Sequence, residues 1–251
     1  LSLESKTPLR CFDILGFSLL YELNYTNVLT MLELSDIPCL SSERDSRHPF
    51  VIAGGPCTCN PEPMAEFFDA MVVGDGEEVV LEMARTWMEW KESGVRDRLS
   101  LLRRWAEIEG VYIPAFFQVK YDCNGRQTVI PLLEGYSTIK RAVLADLDKA
   151  PFPDCPIVPF GKPIHDRLRL EVSRGCTRGC RFCQAGMLYR PVRERSAEKL
   201  YDLAMKSLAA TGYEELSLLS LSTGDYSCIV PLLKRLMGHC ADQRVAVSFP
   251  S

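Results

Sequence analysis

Three cysteines fall within eight residues, in the stretch Ser173-Arg-Gly-Cys176-Thr-Arg-Gly-Cys180-Arg-Phe-Cys183, separated by three and then two residues. A loop this dense in thiols constrains the chain more than any other feature, because the fold must present all three sulfurs in one place. Thiolates are the usual ligands of iron–sulfur clusters, and Gly175 and Gly179 let the backbone bend closely around one. Three thiolates hold three irons of a cubane and leave the fourth iron open to a substrate or cofactor. Other uses match less well. Structural zinc takes four ligands, usually as two pairs, and no second Cys or His pair follows at a suitable distance. A bacterial ferredoxin run has two-residue spacings and a proline after its last cysteine, whereas Gln184 follows here. Three merely buried cysteines do not suit a loop rich in glycine and arginine.

The chain holds eleven cysteines in 251 residues. The number is odd, the spacing outside the cluster is uneven, and the chain is long for a disulfide scaffold. This points to a reducing, cytoplasmic compartment, where clustered cysteines more often bind metal. The net charge of −4 argues against a global basic field for nucleic acid. A local basic patch, and with it RNA, is left open. No run of roughly 18 apolar residues suggests a membrane span. Leu1 to Pro8 lacks the charged start, apolar stretch and cleavage site of a signal peptide. Strand-like segments close to both ends suggest a fragment of a longer protein.

The front of the chain alternates strands and helices. Phe12–Ser18, Phe50–Ala53 and Ala70–Val73 are short apolar runs of strand type, the last two closed by Gly54-Gly55-Pro56 and Gly74-Asp75-Gly76. Asn24–Leu34, Pro63–Phe68, Glu77–Lys91 and 97–109 read as helices. Such alternation predicts a parallel sheet with helices on both faces. Asn124-Gly125 marks a hairpin between Phe116–Tyr121 and Gln127–Leu132. Leu147 to Pro163 holds five prolines and reads as a linker. Alternation then restarts with strand Leu168–Val172, helix Ser196–Ala210 with Ser196 as N-cap, strand Leu216–Leu221, helix Ile229–Met237 and strand Val245–Phe249. The expected organisation is α/β: a Rossmann-like sheet domain over 1–146 ending in the hairpin, a Pro-rich linker over 147–166, and the first part of a β/α (TIM-type) barrel over 167–251.

The Cys176, Cys180 and Cys183 spacing, with aromatic Phe182 before the last cysteine, resembles the radical S-adenosylmethionine (SAM) superfamily. Cys183-Gln-Ala-Gly-Met-Leu-Tyr-Arg-Pro-Val-Arg-Glu-Arg195, Glu214-Glu-Leu-Ser-Leu-Leu-Ser-Leu-Ser222 and Ile52-Ala-Gly-Gly-Pro56 further resemble an uncharacterised bacterial subfamily, in which a cobalamin-binding-like domain precedes a radical SAM barrel. The resemblance implies that Cys176, Cys180 and Cys183 hold a 4Fe–4S cluster whose open iron chelates SAM. An electron from the cluster then cleaves SAM to methionine and a 5′-deoxyadenosyl radical, which takes hydrogen from a substrate of unknown identity. It also implies an electron donor such as flavodoxin or ferredoxin. By the same resemblance the segment after the second barrel strand, Ser222, Thr223, Gly224 and Asp225, contacts the SAM amino group. The superfamily often has Gly-Gly-Glu there, so Asp225 as the acidic partner departs from the pattern and competes with a plain N-cap role. Ser248 and Ser251, at the end of the third strand, are placed to reach the ribose or to form a strand-end turn.

Two features admit more than one use. Arg174, Arg178, Arg181, Arg190, Arg193 and Arg195 crowd the loop, either supporting an anionic cluster or gripping a phosphate, or pairing with Glu171, Glu194 and Glu198. In the front domain, glycines after parallel strands mark the edge where ligands bind in open α/β sheets, although tight turns also explain them. Cobalamin domains that displace the cofactor's base carry Asp-x-His-x-x-Gly, and His48, His165 and His239 do not fit it. Cys11, Cys39, Cys57 and Cys59 do not resemble the second cluster site of methylthiotransferases. Alongside the radical SAM enzyme, the sequence therefore leaves open a cobalamin-dependent radical SAM methyltransferase and a non-catalytic iron–sulfur protein that senses redox state or binds RNA.

Overall fold

The computed structural model describes residues 1–161 and 163–249. It divides into two compact units, Leu1–Val143 and Leu144–Ser251, each α/β with a parallel sheet. In the first unit the elements are β1 (Ile14–Ser18), α1 (Tyr25–Glu33), β2 (Phe50–Gly54), β3 (Ala70–Val72), α2 (Val79–Glu92), α3 (Arg98–Ala106), β4 (Val111–Tyr112), β5 (Phe117–Tyr121) and β6 (Gln127–Pro131). Strands β1, β2 and β3 pair in parallel in that order. Strand β4, only two residues long and unsignalled in the sequence, adds an antiparallel edge to β3. The expected helix at Pro63–Phe68 is a 3-10 helix, Glu62–Phe67. The hairpin forms as expected from β5 and β6, with Gly125 at φ +76° in its loop.

Phe50 to Ala53 of β2 are all buried, as a strand covered on both faces must be. Alternate residues point to opposite faces. Phe50 and Ile52 pack with Met83 and Trp90 of α2 and Trp105 of α3. Val51 and Ala53 pack with Val28 and Leu32 of α1. The Phe50 ring meets Trp90 and Trp105 edge-on at centroid distances of 5.8 and 5.2 Å, the geometry ring quadrupoles favour. The Trp105 indole N–H donates to the Met83 carbonyl at 3.0 Å, which joins α3 to α2.

Asp69, just ahead of β3, is the polar anchor of this unit. Its Oδ2 accepts from Arg44 Nη1 at 2.9 Å and from the Val51 N–H at 2.8 Å, and its Oδ1 accepts from Arg98 Nη2 at 2.8 Å. The Arg44 side chain is fully buried. Its other donors reach the carbonyls of Pro38, Cys39 and Phe67 at 2.9, 2.6 and 2.7 Å. Burial draws the Arg44 pKa down, against the opposing pull of Asp69. A buried charge network of this kind is tolerable only while every member is satisfied.

The second unit contains β7 (Leu168–Glu171), β8 (Ser173–Arg174), α4 (Ala185–Leu188), β9 (Arg193–Glu194), α5 (Ala197–Thr211), β10 (Glu215–Leu219), α6 (Ile229–Gln243) and β11 (Ala246–Ser248). Its sheet runs β11-β10-β7, all parallel, with α5 leading into β10 and α6 into β11. Leu168 and Leu170 of β7 and Leu216 and Leu218 of β10 pack against Leu200, Ala204, Leu232 and Leu236 of the two helices. Ser196 caps α5 by accepting from the Lys199 N–H at 3.2 Å, as the sequence predicts, and Gly212 ends the helix in the left-handed region at φ +68°. The Pro-rich segment starts well anchored in this unit: the Arg195 guanidinium donates to the Leu147 carbonyl, the Asp148 carboxylate accepts from the Ser196 N–H, and Lys206 pairs with Asp154. No helix among the described residues is long and apolar enough to cross a membrane.

Removing Asp69 leaves two guanidinium groups without their shared acid. Asp69→Ala should destabilise the first unit by about 3–5 kcal/mol. Trp87, Trp90 and Trp105, the three tryptophans of the chain, all lie in this unit, so urea unfolding followed by tryptophan fluorescence reads it directly. An unchanged midpoint would show the network to be dispensable.

Candidate functional site

The cysteine loop is closed at its base. After β7 the chain passes through fully buried Val172 into β8, which pairs with β9, Ser173 opposite Glu194 and Arg174 opposite Arg193. Residues 175–192 therefore leave and return at one point. Gly175 opens the loop at φ +93°, and a Cβ there would stand 2.6 Å from both the Tyr189 and Pro191 carbonyl oxygens. Only glycine fits such a position. Arg193 gathers three carbonyls, with Nη1 to Leu144 at 3.1 Å, Nη2 to Tyr189 at 3.3 Å and Nε to Pro191 at 3.0 Å. Arg190 Nε donates to the Gly186 and Cys176 carbonyls at 3.0 and 3.4 Å. The planar guanidinium with five N–H donors suits this work.

All eleven cysteines are free thiols; within the loop Cys180 is exposed while Cys176 and Cys183 are half-buried. The Arg178 backbone N–H donates to Cys176 Sγ at 3.4 Å, and the Cys183 N–H to the Cys180 carbonyl at 3.0 Å. Phe182 projects into solvent, 91% exposed. Among the described residues no three His, Cys, Asp or Glu side chains converge as a set of metal ligands, so the three thiols share the loop without closing on a common point. Their donor chemistry nevertheless fits an iron–sulfur cluster. They are accessible thiols on one tethered loop, with a backbone N–H already directed at one sulfur, and hydrogen bonds to sulfur are among the features that tune such clusters.

The turn after β10 is a single 3-10 turn, Thr223–Asp225. Thr223 is buried, with its hydroxyl 3.0 Å from that of Ser220. Gly224 has open space where a Cβ would stand. Asp225 Oδ2 accepts from the Ser222 hydroxyl at 2.7 Å and from Arg178 Nε at 2.6 Å, while Arg178 Nη2 donates to Oδ1. The guanidinium, then the Ser222 hydroxyl, hold the Asp225 carboxyl below its usual pKa, and Asp225 in turn raises that of Arg178. Two further contacts tie the turn to the loop's return strand: Tyr226 OH donates to the Arg195 carbonyl at 2.8 Å, and the Ser227 N–H to Glu194 Oε1 at 2.9 Å.

The structure thus brings Ser222 and Asp225 to the cysteine loop through Arg178. Ser248 is engaged elsewhere, its hydroxyl donating to Glu215 at 2.8 Å, and Glu215 also pairs with Arg167. Ser251 lies outside the described residues. Of the expected ion pairs, Arg174 and Arg195 both reach Glu171, whereas Glu194 accepts from Ser227. The Arg178–Asp225 pair, Tyr226 and Ser227 were not anticipated. Their partners lie 47, 31 and 33 residues away in the chain, and only the basic loop and the acid at a strand end hinted at the first.

In the first unit, the glycines after the parallel strands are largely accounted for by the chain itself. Gly55 and Gly74 have φ of +99° and +114°, and a Cβ on them would lie 2.9 Å from the Leu19 carbonyl oxygen and 2.1 Å from that of Ala142. Gly54, in contrast, has open space around it. Beside Gly55, Tyr25 is pushed up to about 12 by burial and then by its hydrogen bond with Cys57. A cleft of about 1060 Å³ opens beside residues that precede β2 and β3, lined by Arg44, Glu66, Asp69, Arg98 and Phe117 among others. It therefore lies at the opposite end of the strands from Gly54 and Gly74.

Residues 1–114 match the family described as radical SAM proteins, N-terminal. An uncharacterised protein of Methanocaldococcus jannaschii is 27% identical over 231 residues, covering 92% of this chain and 43% of that protein. Two structures of the radical SAM methyltransferase TsrM from Kitasatospora setae are similar in fold. One holds tryptophan substrate and the SAM analogue aza-SAM (TM-score 0.52, 16% identity, 95% of this chain and 43% of that one). The other holds cobalamin and a [4Fe–4S] cluster (TM-score 0.51, 15% identity, 94% and 43%). At that identity the likeness is one of fold, and the chain spans less than half the length of each of these relatives. The match to the N-terminal part of radical SAM proteins thus lies in the first unit, and the fold over most of the chain is like that of a radical SAM methyltransferase.

Proposed function

We propose that this chain forms the front part of a radical SAM enzyme in which Cys176, Cys180 and Cys183 hold a 4Fe–4S cluster. The observation that carries this reading is the loop itself: three free thiols on an excursion closed by the β8–β9 pair, directly after the first parallel strand of its sheet. Held by these three cysteines, a cluster would supply the one-electron reduction of SAM, with the electron coming from a donor such as flavodoxin or ferredoxin, that cleaves the C5′–S bond to methionine and a 5′-deoxyadenosyl radical. The protein's part is to position. Arg190 and Arg193 fix the loop carbonyls, Gly175 allows the chain to turn between two of them, and the Ser222–Asp225 turn offers an acid for the SAM amino group. The three parallel strands with α5 and α6 are the opening of a β/α barrel, whose ligand face lies at the strand C-termini. The substrate belongs to the whole protein.

A second reading, a cobalamin-dependent methyltransferase, is favoured by the parallel sheet of the first unit and by fold neighbours that are methyltransferases, one of them with cobalamin bound. Gly54 is the open point at the strand ends where a cofactor tail would approach. With no Asp-x-His-x-x-Gly in the sequence, a corrin held there would lack a histidine as lower ligand.

Anaerobic reconstitution of the full-length protein tests the first reading. Changing Cys176, Cys180 and Cys183 together to Ala should abolish the cluster absorbance, and a normal four-iron cluster in that variant would overturn the assignment. In the intact protein, saturating SAM should perturb the EPR spectrum of the reduced cluster, and an unaltered spectrum would argue against a radical SAM role. Gly175→Ala should lower cluster loading, because a left-handed non-glycine residue costs about 1–3 kcal/mol and its Cβ meets two carbonyls. Full loading in Gly175→Ala would show that the loop base tolerates a shift. Titration of hydroxocobalamin decides the second reading: stoichiometric binding without a histidine lower ligand supports it, and absence of binding removes it.

A further inference from the structure

Strand β5 has one edge without a partner. It pairs only with β6, in a two-stranded sheet. The Leu132 N–H donates to the Phe116 carbonyl at 2.8 Å and the Asp122 N–H to the Arg126 carbonyl at 3.0 Å. With Gln118 opposite Ile130 and Lys120 opposite Thr128, these bonds set the alternation of the ladder. Gln118 and Lys120 bond to β6, and Phe117, Val119 and Tyr121 turn their N–H and C=O groups the other way. The Phe117 N–H is taken by the Pro114 carbonyl. The N–H groups of Val119 and Tyr121 and the carbonyls of all three have no hydrogen-bond partner among the described residues. On β6 the matching outward residues are Gln127, Val129 and Pro131, and Pro131, with no N–H, blunts that edge. The β5 edge holds no proline.

This free edge opens on the cleft of the first unit. Phe117, Gln118, Val119 and Tyr121 line it, four of the five residues of β5, together with Gln127 of β6. Gln118 points to the opposite face from the other three, so the cleft runs along the outer edge of β5 rather than across one face of the hairpin. Its walls carry Glu62, Glu66, Asp69 and Asp97 against Arg44 and Arg98. Both arginines are committed to Asp69 and to backbone carbonyls. Glu62 accepts from the Tyr112 hydroxyl, and Asp97 from the N–H groups of Leu99 and Ser100. These donors are neutral and leave the carboxylate charges uncompensated, while Glu66 is exposed. We propose that the β5 edge receives an extended peptide segment of another protein, about five residues long, in which lysine or arginine alternates with apolar residues. Main-chain hydrogen bonds to Val119 and Tyr121 add it to the hairpin as a third strand. Its apolar residues lie along Phe117, Val119 and Leu99, and its cations answer Glu62, Glu66 and Asp97. The inference is independent of the cluster reading, because all of these residues lie in the first unit.

The probe is a fluorescein-labelled hexapeptide of alternating valine and lysine, titrated with the full-length protein and followed by fluorescence anisotropy. It should bind, more weakly as salt is raised, and the same peptide with glutamate in place of lysine should not. Amide hydrogen exchange over Phe117–Tyr121 should slow when the lysine peptide is bound. Val119→Pro removes one outward N–H while leaving the bonds to β6, and should weaken binding roughly fivefold. Glu66→Lys reverses an exposed charge and should weaken it roughly threefold. Should Val119→Pro disturb the hairpin, seen as faster exchange over Gln127–Pro131, Glu66→Lys and the wild-type exchange carry the test. Absence of binding, equal binding of the two peptides, or unslowed exchange over Phe117–Tyr121 overturns the proposal, as does wild-type affinity in Val119→Pro. A dimer of the full-length protein that Val119→Pro dissociates gives the edge to a second copy and overturns it too.

Discussion

A loop that is to present three thiols needs its two ends fixed, and here that closure rests on two backbone pairs, Ser173 with Glu194 and Arg174 with Arg193. The pairs hold because Val172, immediately before them, is buried in the core of the second unit and accepts from the Arg195 N–H through its carbonyl. The rigid sheet thus sets where the loop starts, and β9 sets where it ends. Between these points hydrogen bonds from arginines to carbonyls shape the backbone. The thiols themselves are left exposed or half-buried, as the proposed role of cluster ligands requires. Buried strand, zipped stem and exposed donors form one sequence of causes, each link depending on the one before.

The two units solve the same problem with different chemistry. In the first, a charge network centred on Asp69 joins the approaches to β2 and β3 to α3, and its guanidinium donors satisfy carbonyls that have no helix or sheet partner. In the second, neutral and ionic contacts sew the β10 turn to the loop stem through Tyr226, Ser227 and Glu194. The consequence differs too. Asp69 is enclosed, so losing it exposes its partners' charges to a low-dielectric interior. Asp225 faces solvent, so its partner can be exchanged at little cost.

Much of this was legible in the sequence, wherever the signal is local. The run Phe50 to Ala53 gives a strand buried on both faces, Ser196 is the cap of α5, Asn124-Gly125 turns the hairpin, and the cysteine spacing marks the loop. What escaped depends on partners far along the chain. Strand β4 is two residues long ahead of Pro114 and exists because β3 offers it an edge. The anchoring of Leu147 and Asp148 comes from Arg195 and Ser196, 48 residues later. Asp69 and Asp225 look alike in the sequence, each an acid beside a strand, and only the fold separates an enclosed anchor from an exposed, exchangeable one. The glycines of the first unit carry the same lesson. Gly55 and Gly74 are required by the chain's own carbonyls, which a sequence cannot distinguish from room left for a ligand.

The arginines around the cysteine loop admit either electrostatic support for an anionic cluster or ordinary structural pairing, and Arg190 shows that these are not alternatives. Its hydrogen bonds go to the Gly186 and Cys176 carbonyls. A carbonyl accepts a hydrogen bond without cancelling the donor's charge, so Arg190 shapes the backbone of the loop and keeps a positive charge beside it. Arg174, locked onto Glu171 by two hydrogen bonds at 2.9 and 3.1 Å, contributes far less field for the same residue type. Lysine could supply the charge at position 190 but not a planar, directed N–H fixed to the loop carbonyls. The choice of arginine there follows from needing shape and field from one side chain.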